Sequence, residues 1–210
     1  MAGCESKGSK FPNNIREIEL RKAKIAVRKI AKAIGELADW EWEEEIEGPE
    51  TGKSFYRVFL KPKTECWFSY IGWESKPTEI RKYVEMGTSP LFPGYHWTAF
   101  DYPERVKRRL KEAWEIERKW MKKANEKFNI ELKDMGPEFS AYYVTFEIDR
   151  IDPEEVRKYF MAMKWAYEMA KKELEEKGIV ITDKILDLEL KLEDDLEVTE
   201  EDIKAALGEV

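Results

Sequence analysis

The spacing of apolar residues along the chain changes several times, and each change marks an element. Over residues 14–38, Leu20, Ala23, Val27, Ile30, Ile34 and Leu37 recur three and four positions apart. That spacing lines one face of a helix and predicts an amphipathic helix with a single buried stripe. Asn14 stands where an N-cap belongs, with Glu17 three residues on as its capping-box partner. Residues 1–12 are small, polar and basic, and read as an unstructured tail.

The period then drops to two. WEWEEEI (40–46) puts Glu41, Glu43 and Glu45 on one side, as in a strand with a solvated face or a charged sheet edge. EGPETG is a turn. SFYRVFL (54–60) and ECWFSYIGW (65–73) are rich in the aromatic and branched residues of strands. Residues 78–86 read as a short helix stopped by Gly87. SPLFPGYHWTAFDYP (89–103) follows; three prolines and a glycine make it a loop, though it carries Phe92, Tyr95, Trp97 and Phe100.

Pro103 opens a second long helix, reaching residue 128 and so about 39 Å long. Residues 141–149 form a strand with Tyr142, Val144, Phe146 and Ile148 on one face. Asp152-Pro153 starts a helix that Gly178 stops. KILDLELKL (184–192) alternates as a strand, and a short acidic helix begins near residue 199. The order is αβββα and then α(β)βαβα. It predicts an α+β fold, a mostly antiparallel sheet packed by long helices. The expected organisation is a tail (1–12), a first half (13–102) and a second half (103–210), packed as one compact unit.

The middle strands raise a physical problem. One face of 65–73 carries Cys66, Phe68 and Tyr70, and the other carries Trp67, Ile71 and Trp73. A one-sided antiparallel sheet is polar on its outer face. Each ring left wet forgoes about 2 kcal/mol of burial. A second layer is therefore expected over these strands. Candidates are the aromatic loop, the helix at 153–177, a second subunit, or the bases of a nucleic acid.

Composition narrows the chemistry. Apolar residues make up 42% of 210, enough for a substantial core. No apolar run approaches the roughly 18 residues of a membrane span, and the N-terminus has no signal-like apolar stretch. A cytoplasmic protein with no membrane partner is the expectation. Charged residues reach 39%, glutamine is absent and asparagine occurs four times, the bias of a hyperthermophile. Two cysteines, Cys4 and Cys66, make neither a disulfide framework nor a cysteine-rich zinc site. His96 is the only histidine, which excludes two-histidine metal sites. Glu147 and Asp149, with Asp152 beyond them, form an acidic pair of the kind that holds divalent cations for phosphoryl transfer. The same residues also suit ordinary turn and capping chemistry, and no glycine-rich phosphate loop accompanies them. No catalytic residue, metal or cofactor is assigned.

Charge is unevenly spread. The net charge is −7, yet the helix at 103–128 has ten Lys or Arg against five Glu, and residues 173–210 have fourteen acids against four bases. Basic helices beside aromatic strands are what a binder of single-stranded nucleic acid needs. That is the first expectation. Trp67, Tyr70, Trp73, Tyr95, His96 and Trp97 would contact bases, and Arg21, Arg28, Arg105, Arg108 and Arg109 would contact phosphates. The second is a homo-oligomeric assembly protein joined through Met161, Met163, Trp165 and Met169. The third is a metal-dependent phosphoryl-transfer enzyme using Glu147 and Asp149. Against the first stands a plainer reading of the long basic helix: Glu104–Arg108, Arg108–Glu112, Lys111–Glu115 and Glu115–Lys119 are all spaced as surface ion pairs.

Overall fold

The amphipathic stripe near the N-terminus folds as its spacing dictates. In the computed structural model, helix α1 (Asn13–Gly35) buries Ala23, Ala26, Val27, Ile30, Ala33 and Ile34. The structure describes residues 13–35, 42–47, 56–62, 68–75, 81–88, 104–136 and 142–179. Four strands follow: β1 (Trp42–Glu47), β2 (Tyr56–Pro62), β3 (Phe68–Ser75) and β4 (Tyr83–Thr88). Then come α2 (Glu104–Phe128), the two-residue β5 (Lys133–Asp134), β6 (Tyr142–Glu147) and α3 (Pro153–Glu176). The fold is α+β.

The strands form one sheet in the order β1-β2-β3-β4-β6-β5. β1 pairs antiparallel with β2, β2 with β3, and β5 with β6. Among the described strands, β1 stands at one edge of the sheet. α1 packs on β2 and β3. Ile71 and Trp73 of β3 are buried, and the Trp73 indole N–H donates to the Arg81 carbonyl at 2.6 Å.

One expected element changes type. The helix anticipated at 78–86 gives way, at its end, to strand β4. Val84 and Met86 are fully buried, Tyr83 is exposed and Glu85 is half-buried, a period of two. Four residues of this kind satisfy either period. Neighbouring strands decide, by supplying hydrogen-bond partners such as the 2.9 Å bond from Ile148 N to Lys82 O.

Helix ends follow their local chemistry. Asp152 Oδ1 accepts from Glu154 N at 3.0 Å, an N-cap ahead of Pro153. α3 ends in a Schellman turn. Gly178 (φ 66) donates to Glu175 O, and Ile179 N donates to Leu174 O at 2.9 Å. α2 ends in the same way with Asn129 (φ 47) in the left-handed position and Ile130 N bonded to Asn125 O at 3.1 Å.

The chain divides into two compact units, 1–87 with 144–158, and 88–143 with 159–210. Where the sequence suggests consecutive halves meeting at 102/103, the units interleave. The first is built on α1, strands β1 to β4 and most of β6. In the second, α2 buries Leu110, Ala113, Trp114 and Ile116 against Ala170 and Leu174 of α3, with Trp120 and Ile179 packed at the margin. Among the described residues, no helix is long and apolar enough to cross a membrane. The aromatic loop, the strand expected at 184–192, the helix expected from 199, and both cysteines lie outside the described residues.

Candidate functional site: the α2–α3 surface

The expected contact residues fare differently. Trp73 is 3% exposed with its indole nitrogen already bonded, so it packs the interior and offers no face to a base. Trp67, Tyr95, His96 and Trp97, and the side chains of Tyr70 and Arg105, lie outside what the structure describes. Arg21 and Arg28 are exposed on α1; Arg108 and Arg109 are exposed on α2. Of the seam expected on α3, Met163 is fully buried within its own chain and gives a second copy nothing to touch. Met161 is exposed, while Trp165 and Met169 are half-buried. Glu147 is ion-paired with Arg150 at 3.3 Å, Asp149 is exposed, and Asp152 serves as a helix cap. Among the described residues, no three His, Cys, Asp or Glu gather as a metal site.

Among the described residues, the structure gathers rings and cations mainly on the helices of the second unit; on the strands, Lys133 sits 5.8 Å from the Tyr143 ring centre. Trp120 of α2 meets Trp165 of α3 edge to face, with ring centres 5.7 Å apart. Phe128 meets Trp165 in the same manner at 6.1 Å. All three rings are half-buried. Over them lie lysines of one helical row, at positions 119, 123 and 127. Lys119 and Lys123 sit 5.2 and 4.2 Å from the Trp120 ring centre. Lys127 sits 5.1 Å from that of Trp165 and 5.8 Å from that of Phe128. The four-residue spacing stacks these lysines along one side of α2. Lys123 and Lys127 make no ion pair among the described residues.

Glu173 of α3 ties this strip to a neighbouring groove. Its Oε2 accepts from the Lys119 ammonium and from the Trp120 indole N–H, the latter at 2.7 Å. Lys177 approaches Oε1 at 3.9 Å and also reaches Glu112 at 3.2 Å. The hydrogen bond from Lys119 is the main force holding the Glu173 carboxyl below the usual carboxylate range. Partial burial opposes it, and Trp120 and the nearby charges of Lys119 and Lys177 add to it. The groove, about 500 Å³, is lined by Arg108, Lys111, Glu115, Ile116, Lys119 and Lys177, with Glu112 and Glu173. Groove and ring strip run from Arg108 to Phe128, about 30 Å of helix. Lys119 and Glu112 therefore pair with Glu173 of α3 and with Lys177 just beyond its end, where the sequence suggested pairs within α2.

Behind this surface, Tyr142 of β6 is 4% exposed and its hydroxyl makes no hydrogen bond among the described residues. Burial first, then the charges of Asp134 and Glu117, drive its ionisation well above the ordinary tyrosine range; Arg118 opposes them weakly. Glu117 is itself buried, and Arg118 pairs with Asp134 at 3.0 Å.

Comparison with protein-family models, curated proteins and solved structures found no match to this chain.

Proposed function

We propose that the protein binds single-stranded nucleic acid along α2, with the helix pair in the role first expected of the strands. The observation that carries this reading is the row of lysines over the Trp120, Trp165 and Phe128 rings. A ring approached by a flexible ammonium chain can exchange it: a base takes the ring while the lysine turns to the adjacent phosphate. The helix supplies ten basic residues against five acidic ones, so its field is positive although the chain's net charge is −7. About 30 Å of surface is enough for several nucleotides, within the range of known single-strand sites.

The test is fluorescence anisotropy of a labelled single-stranded oligonucleotide, with tryptophan quenching as a second readout. With three phosphate contacts, from Arg108, Lys123 and Lys127, affinity should fall about 20-fold between 50 and 200 mM salt. The double variant Lys123→Ala/Lys127→Ala should bind more weakly and lower the log–log salt slope by about 1.4. Unchanged anisotropy with excess protein at 50 mM salt would refute the reading, as would a double variant that binds like the wild type.

A further inference from the structure

Among the described residues, a second face of α1 stays exposed. Opposite the buried stripe, Ile18 and Ile25 are 54% and 59% exposed. They are seven residues apart, two helical turns, and so lie one above the other. Arg21, Arg28 and Lys32 flank them on one side, and Lys22 and Lys29 on the other, all exposed. Lys22 pairs with Glu19 of its own helix at 3.3 Å, and Arg28 also has a partner of its own. The result is a narrow aliphatic seam between two basic rows.

The make-up of this face discriminates among occupants. Two aliphatic side chains in the middle of a cationic stripe offer a phosphate chain nothing, whereas rings would have. The seam is one side chain wide, far less than the broad apolar face that a helix sinks into a lipid surface. A helix with apolar residues on a seven-residue repeat and acids at their flanks fits both features. Its apolar residues would cover Ile18 and Ile25, and its carboxylates would meet the basic rows. We infer that the outer face of α1 docks an acidic amphipathic helix of a partner protein, through Ile18 and Ile25 with Arg21, Lys22, Arg28 and Lys29 as flanking contacts.

The probe is a fluorescein-labelled synthetic peptide of three heptads, leucine at the two seam positions and glutamate beside them. Its control has the same composition in an order that breaks the repeat. The full-length protein should bind the first saturably and the control at least tenfold more weakly. Ile18→Ser/Ile25→Ser should lose at least tenfold in affinity with an unchanged circular dichroism spectrum, since both side chains are exposed. Arg21→Glu/Arg28→Glu should lose binding to the acidic peptide and gain it for one with lysine in place of glutamate. No saturable binding, or equal binding of both peptides, would overturn the proposal. So would loss of phosphatidylserine-vesicle binding, oligonucleotide binding or self-association in the isoleucine double variant, each of which assigns the seam to another occupant.

Discussion

At the scale of single residues, two buried or half-buried groups set opposite pH limits. Tyr142 is held neutral by burial, so its folded-state ionisation lies above the unfolded value of about 10. Its contribution is complete below that value and is lost as pH rises beyond it. Tyr142→Phe removes a hydroxyl that is buried without a hydrogen bond. At pH 8 the variant should be as stable as the wild type or up to about 1 kcal/mol more stable. By pH 11 it should have lost less stability than the wild type in urea titrations; equal losses would contradict the account. Glu173 has the reverse sign. Its carboxyl titrates below the usual range because Lys119 and its neighbours favour the charged form. That contribution is present above the unfolded value and is lost as pH falls through the lower folded one. Glu173→Gln should cost about 0.5–1 kcal/mol at pH 7, modest because its lysine partners are half-exposed, and the difference should vanish in acid. A cost that stays constant down to pH 2 would show that charge is not the cause.

Elements depend on how their ends are closed. Asn129 holds a left-handed conformation (φ 47) at the end of α2, where a Cβ without a local hydrogen-bonding amide is unfavourable. Asn129→Ala should cost about 1 kcal/mol and Asn129→Gly less, measured by chemical denaturation. Arg157, in the first turns of α3, donates to the Ala33 carbonyl in the last turn of α1 at 3.0 Å. It closes one of the carbonyls that a helix end leaves open. Arg157→Ala should cost about 1 kcal/mol and speed amide exchange in the last turn of α1. Much at this scale was legible beforehand. The stripe Ala23, Val27, Ile30 and Ile34 announced α1, and Asp152-Pro153 and Gly178 announced both ends of α3. β4 was not legible. Tyr83, Val84, Glu85 and Met86 fit either period, and only adjacent strands supply the partners that make them extended. The candidate site was half legible. The basic excess of α2 was plain, but Trp120 and Phe128 look in sequence like ordinary helical core, and Trp165 was expected in a seam between copies.

For the whole molecule, charge and composition make two further statements. A net charge of −7 repels a polyanion at long range, while a helix with ten bases and five acids attracts it within a Debye length of about 10 Å. Above about 50 mM salt, where the net charge is largely screened, binding should therefore weaken steadily as the contacts made by the helix are screened. The absence of glutamine and the 39% of charged residues predict a melting midpoint well above the mesophilic range of about 45–65 °C. A calorimetric midpoint inside that range would contradict it. By itself, the sequence determined what depends on near neighbours: the periods of the three long helices, both ends of α3, and the excess of bases on α2. Residues three or four apart meet in a helix whatever the rest of the chain does. Only the tertiary structure decided which apolar residues stay dry, as Trp73 does, and which remain at the surface, as Ile25 does. It alone brought Lys119 to Glu173 across 54 positions and set Trp120 against Trp165. Contacts between distant segments arise from how whole faces pack, and no local pattern encodes that choice.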